Sequence, residues 1–266
     1  MSSPINDPSL WQHLLPRPAV DGHKYHRGYA AVLAAPELTG ATRLAVTACN
    51  RIGAGLVSVI AEQRSDVYRT SLPADIMVQE KIPEKTSVCL GGSGGIVPSH
   101  LDYLLRGQSL KARIFDADAM PTPQQFKWLD HNCILTPHFG EFQRAFGNNS
   151  KNSDDGEDIE HLTEAARDAS RRSGAVLVLK LPKTVIAHPD GRTIVNHHTS
   201  PYLAKAGMGD VLAGLICGLV AQSMPPFEAS AAAVWIHGEA ALRFGPGLIA
   251  SDIAGQVPGI LQDLLD

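Results

Sequence analysis

Lys205-Ala206-Gly207-Met208-Gly209-Asp210-Val211-Leu212-Ala213-Gly214 runs straight into the apolar stretch Leu215-Ile216-Cys217-Gly218-Leu219-Val220-Ala221. A helix that starts at a Gly-x-Gly turn presents free backbone N–H groups and the positive end of its dipole, with no Cβ at the glycines to keep a phosphate away. Gly207, Met208 and Gly209 thus form a candidate anion hole. A carboxylate in the first turn beside bound phosphate is poorly placed unless it handles a proton or a metal, which makes Asp210 the first catalytic candidate. The competing reading is a loop shaped by glycines and a helix capped by Asp210, a stabilisation of about 0.5–2 kcal/mol.

Working outward, Tyr29 to Ala35 is a short apolar run. From Ala41 the positions Ala41, Leu44, Ala45, Ala48, Cys49 and Ile52 recur at the spacing of one helix face. Gly53-Ala54-Gly55 ends that helix and Leu56 to Ile60 reads as the next strand, so strand, helix and strand follow one another with short connections. Ser87–Leu90, Ala112–Phe115, Asn132–Leu135 and Val176–Leu179 are further short strands, with a helix expected from Ile159 to Ser173. Thr184–Ala187 and Thr193–Val195 flank Pro189-Asp190-Gly191, a hairpin signal. An alanine-rich helix follows over Phe227–Phe244, and Ser251 is the expected cap of the last helix. The pattern predicts an α/β fold of three layers, a mostly parallel sheet flanked by helices on both faces with a small antiparallel hairpin. Residues 1–266 read as a single domain. Pro4, Pro8, Pro16 and Pro18 mark residues 1–22 as an N-terminal extension, and the hydrophilic stretch 148–160 reads as an exposed loop.

The strand ends carry polar groups, where open α/β sheets bind ligands. Gly91-Gly92-Ser93-Gly94-Gly95 leaves room for one, yet it has neither the Gly-x-Gly-x-x-Gly spacing of a dinucleotide fingerprint nor the Gly-Lys-Ser/Thr of a phosphate loop. Asp116 and Asp118 alternate on an extended segment and are expected to face the same way, towards Mg²⁺ waters or a ligand hydroxyl, with helix capping as the alternative. Thr136-Pro137-His138-Phe139-Gly140-Glu141 turns at another strand end and sets His138 near it, and Lys180 closes a fourth. His23-Lys24-Tyr25-His26-Arg27-Gly28 gathers titratable groups just before the first strand, where the plainer reading is a solvated loop.

With 266 residues, 44% hydrophobic, the chain is long enough for a large core. A net charge of −4 and the lack of a basic run argue against nucleic-acid partners. Cys49, Cys89, Cys133 and Cys217 are far apart in apolar segments and read as reduced core residues. No apolar run has membrane-spanning length and the first residues lack a leader pattern, so a cytoplasmic protein without a membrane partner is expected.

Taken together, the His23–Gly28 segment, Gly40-Ala41 with Gly53-Ala54-Gly55-Leu56-Val57, Asp116-Ala117-Asp118-Ala119, Thr136–Glu141, Lys180–Ile186, Gly207–Gly214 and Gly247-Leu248-Ile249-Ala250-Ser251-Asp252 resemble the ADP-dependent NAD(P)H-hydrate dehydratases of the ribokinase-like superfamily. The resemblance implies repair of hydrated NADH or NADPH, with ADP as phosphoryl donor and Mg²⁺ as cofactor. It implies Asp210 as the catalytic base, and Ala41, Ser93, Gly95, His138 and Asp210 as groups lining the hydrated-dinucleotide pocket. Lys180, Leu181, Pro182, Lys183, Thr184 and Gly209 would contact the adenine nucleotide, and no residue is assigned to the metal. It also implies a homo-oligomer, a tetramer, and a separate epimerase for the other hydrate. Three positions differ from the family's usual pattern: Ser93 in the glycine loop, Leu181 after Lys180, and Met208 between the glycines. A nucleotide-binding homologue with impaired catalysis and an ATP-dependent small-molecule kinase of the same superfamily are the competing functions.

Overall fold

Near-continuous apolar runs make the strands, because a parallel sheet covered by helices buries both faces of each strand. In a computed structural model describing residues 3–107, 109–147 and 159–266, these runs become β1 (Tyr29–Leu33), β2 (Leu56–Ile60), β3 (Met77–Gln79), β4 (Val88–Gly91), β5 (Ala112–Phe115), β6 (Cys133–Leu135), β7 (Val176–Leu179), β8 (Thr184–Ala187) and β9 (Thr193–Asn196). Among the described residues they form one sheet in the order β3-β2-β1-β4-β5-β6-β7-β8-β9, parallel except for the β7–β8 and β8–β9 pairs. The loop expected over 148–160 falls on residues 148–158, outside the described ones.

Side-chain alternation divides the core between the two sheet faces. Val32, Val59, Leu90 and Ile114 meet α1 (Thr39–Arg51), α6 (Met208–Ala221), α7 (Pro226–Phe244) and α8 (Ala250–Leu265). Leu33, Ile60, Cys89 and Phe115 meet α3 (Pro98–Arg106), α4 (Phe139–Phe146) and α5 (Ile159–Ser173). A short α2 (Ser65–Ser71) lies beside β3, and all four cysteines are buried and free. The three-layer arrangement follows from the sequence pattern.

α6 is apolar on every side, and all of its residues except Gly209 and Asp210 are buried. It lies so close to α1 that a Cβ on Gly214 would come within 2.2 Å of the Ala45 carbonyl oxygen. The two helices therefore hold a fixed spacing beneath the site. Ser251 is not the cap of α8: the helix starts at Ala250, and the Asp252 carboxylate accepts the Ile249 N–H at 2.9 Å instead.

The N-terminal extension is built into the fold as far as Leu15. The Asn6 N–H donates to the Val195 carbonyl and the Val195 N–H to the Pro4 carbonyl, at 2.8 and 3.0 Å, covering the open edge of β9. Trp11 is fully buried, and its indole N–H donates to Asn6 Oδ1 at 3.0 Å while Asn6 Nδ2 reaches Asn196 Oδ1 at 2.9 Å. Prolines break a helix here, but short turns around them carry Trp11 to the core. Trp11→Phe removes that donor and leaves a buried acceptor short of its partner, so stability should fall by about 1–3 kcal/mol. Urea unfolding checks this, and an unchanged midpoint would mean the segment is not part of the cooperative unit.

Candidate active site

Gly207 takes the left-handed conformation (φ 86°) that starts α6, and a Cβ there would come within 2.7 Å of Leu44. The first-turn amides of Gly209 and Asp210 have no hydrogen-bond acceptor among the described residues, as expected at a helix start. Met208 contributes only its backbone, because its side chain turns into the core. Asp210 does not cap the helix: its Oδ1 accepts the Ser93 hydroxyl rather than a backbone amide. Burial pushes its carboxyl above the usual carboxylate range, the Asp116 charge adds to that, and the Ser93 bond and the Lys180 charge oppose it.

The two aspartates after β5 do not face the same way. Ala117 takes a positive φ of 46°, so the chain leaves the extended conformation between them. Asp116, buried, accepts Lys180 Nζ and Thr136 Oγ1, each at 2.6 Å. Asp118 accepts the Gly94 and Gly95 amides at 2.9 and 2.8 Å and so fixes the glycine loop. Lys180 in turn stands over the helix start, its Nζ 3.3 Å from where a Gly209 Cβ would lie. Backbone donors, an ammonium and a half-buried carboxylate therefore converge on one point.

Two spaces flank that point. Ala41, Thr42, Gly92, Ser93, Asp116 and Asp210 surround a small cavity of about 10 Å³. His138, Phe139, Gly140, Gln143, Lys180, Leu181 and Pro182 line a cleft of about 440 Å³. His138 thus lies with the Lys180 segment, apart from Ala41 and Ser93, and its Nδ1 accepts the Gly140 and Glu141 amides at the start of α4. Thr184 is buried and its hydroxyl donates to the Leu181 carbonyl at 3.1 Å, shaping the loop from beneath, while Lys183 is exposed. Sequence reasoning missed Thr136 as a partner of Asp116, and it missed His237 on α7. Burial, and then the Lys180 charge, lower His237 to about 4, so it stays neutral under the turn.

Among the described residues no group of three or more His, Cys, Asp or Glu side chains is placed to hold a metal. Asp116 is already paired with Lys180. The described side chains therefore assemble no resident Mg²⁺ cage.

Removing the Ser93 hydroxyl should raise the Asp210 pKa further, because that bond stabilises the carboxylate. A base is active only when ionised. The acidic limb of the pH–rate profile should therefore move to higher pH in Ser93→Ala, with the plateau retained. A limb that stays put or moves to lower pH would count against the Ser93–Asp210 contact.

The family model for NAD(P)H-hydrate dehydratase matches residues 31–247. The chain is 33% identical to the bifunctional NAD(P)H-hydrate repair enzyme of Moorella thermoacetica, over 94% of this chain and 52% of that protein. It is 32% identical to the ADP-dependent (S)-NAD(P)H-hydrate dehydratase of Neisseria meningitidis serogroup B, over 92% of this chain and 87% of that one. The chain thus spans about half the length of the bifunctional relatives. Its structure is similar to the ADP/ATP-dependent NAD(P)H-hydrate dehydratase of Bacillus subtilis co-crystallised with ATP/Mg²⁺, with a TM-score of 0.83, 25% identity, and 99% of each chain covered. The fold is also similar to that of the ribokinase of Cryptococcus neoformans var. grubii in complex with ADP, with a TM-score of 0.61 and 14% identity over 88% of this chain and 99% of that one. From the match across residues 31–247 and the agreement in fold, the chain belongs to the NAD(P)H-hydrate dehydratase family.

Proposed function

We propose that the chain dehydrates the S epimer of hydrated NADH or NADPH, using ADP and releasing AMP and phosphate. The observation that carries this reading is the convergence of the Asp210 carboxylate, the Gly209 amide and the Lys180 ammonium at the start of α6. Asp210 takes the proton of the ring hydroxyl as its oxygen attacks the β-phosphorus of ADP, and the bond to the α-phosphate oxygen breaks to leave AMP. The C–O bond of the phosphorylated ring then breaks as the ring nitrogen's electrons expel phosphate. Loss of a proton from the neighbouring ring carbon restores the dihydropyridine. Lys180 and the Gly207–Gly209 backbone meet the charge of the transferred phosphoryl group. The cleft of His138, Leu181 and Pro182 takes the nucleotide, with Lys183 and Thr184 in the same loop.

Ala41, Ser93 and Gly95 flank the hydrated ring, for which the small cavity must widen, so the glycine loop moves on binding. Bound together with the nucleotide, Mg²⁺ would neutralise part of the charge on its phosphates. The R epimer reaches the site through an epimerase outside these residues. The same reading carries a cytoplasmic homotetramer, checked by light scattering and fractionation. No helix among the described residues is long and apolar enough to cross a membrane.

Incubation with the S hydrate, Mg²⁺ and either ADP or ATP tests the proposal through recovery of NADH absorbance. Recovery matched by AMP and phosphate is expected with ADP. A folded protein that binds ADP but restores no NADH would instead be a nucleotide-binding homologue. Efficient phosphorylation of a sugar or vitamin-precursor alcohol would make it a kinase.

A further inference from the structure

A cleft of about 650 Å³ lies at the other end of the sheet. It is lined by His23, Lys24, His26 and Arg27 just ahead of β1, by Ala54 and Gly55 ahead of β2, by Arg17 in the N-terminal segment, and by Gln222 at the end of α6. α6 separates it from Asp210, rising about 18 Å over the twelve residues from Asp210 to Gln222. Among the described residues, no carboxylate lines it. In a chain of net charge −4, three permanent cations and two imidazoles share one cleft.

The fold leaves those cations with little else to do. Arg17 and Arg27 make no side-chain hydrogen bond or ion pair among the described residues, and Lys24 reaches only the Tyr25 ring, 5.7 Å from its centroid. Basic residues near helix ends often serve the last carbonyls, and α1 and α6 both end here. That task is already taken by Gln222, whose Nε2 donates to the Ile52 and Gly218 carbonyls at 3.2 and 3.0 Å. The imidazoles add donors of fixed tautomer. His23 Nδ1 accepts the Tyr25 amide and His26 Nδ1 accepts the His23 amide, so each neutral ring carries its proton on Nε2.

We propose that this cleft is a second binding site, for an oligophosphate, separate from the nucleotide cleft beside Lys180. Guanidinium forks match phosphate oxygens in pairs, and cations spread over a cleft of this size outnumber what a single phosphate needs. The chain of phosphates belongs either to a nucleotide or to an inorganic oligophosphate.

Calorimetric titration of the full chain with inorganic tripolyphosphate, without nucleotide, tests the site. Two sites are expected in the unaltered protein. Arg17→Gln with Arg27→Gln should weaken one by about tenfold or more, retaining ADP-driven turnover, and Lys180→Met should weaken the other. ADP titrated in the same way separates the sources. A second ADP site lost in the double variant assigns a nucleotide, and its absence assigns a bare oligophosphate. Lys24→Gln alone, with a weaker effect of the same sign, serves if the double variant does not fold. A single tripolyphosphate site indifferent to all three substitutions would overturn the proposal. So would a double variant that changes only the sedimentation of the protein, since the cleft would then be a contact between copies.

Discussion

Asp210→Asn should reduce turnover by about 10²–10⁴-fold, the usual contribution of a positioned general base, with little change in ADP affinity. Asparagine keeps the shape of the side chain and an oxygen that accepts the Ser93 hydroxyl, so the local structure survives. It cannot take a proton from the ring hydroxyl. The amide donors of the turn remain and a negative charge beside the phosphates is gone, which favours the nucleotide if anything. If Asp210, held above the usual carboxylate range by burial, is the base, the acidic limb of the pH–rate profile should also vanish. Turnover and ADP binding measured on the same variant decide the matter: near-normal turnover places the base elsewhere.

Lys180→Met should be nearly as severe, through two separable effects. Asp116 is buried, and losing its ion-pair partner leaves a carboxylate supported by Thr136 alone, at a cost of about 3–5 kcal/mol in stability. The phosphates also lose the ammonium over Gly209. Asp116→Asn in the same chain removes the orphaned charge without restoring the ammonium. The double variant should therefore recover most of the unfolding midpoint while its ADP affinity stays low. Recovery of both together would mean that Lys180 acts only on the fold, and recovery of neither would mean that the pair is not a unit.

The layer pattern was legible because it rests on local periodicity. The strand ends around Asp116, Thr136 and Lys180, and the helix start at Gly207, follow from apolar runs bounded by polar or glycine residues. The hairpin followed from Pro189-Asp190-Gly191, and β8 and β9 form on either side of it. What sequence hid was set by contacts between distant segments or by single dihedrals. Ala117 turns Asp116 towards Lys180 and lets Asp118 hold the glycine loop, and no alternation rule contains that positive φ. Trp11 was obscured by the prolines around it, since its burial depends on α7 and β9. Met208 faces the core because the helix starts three residues earlier than the Asp210 cap reading requires. Short β3, α2 and α3 lacked a period long enough to read.

The burial of α6 on all sides bears on how the site fails when heated. Amides inside such a helix exchange with solvent only when the whole core opens, so they should report the global unfolding free energy. The turn that carries Gly209 and Asp210 is the exposed tip of that slowest-exchanging element, and it has no independent way to melt. Thermal loss of activity should then coincide with the loss of α6 protection, and stabilising the core anywhere along α1 or α7 would prolong the working life of a carboxylate at its far end.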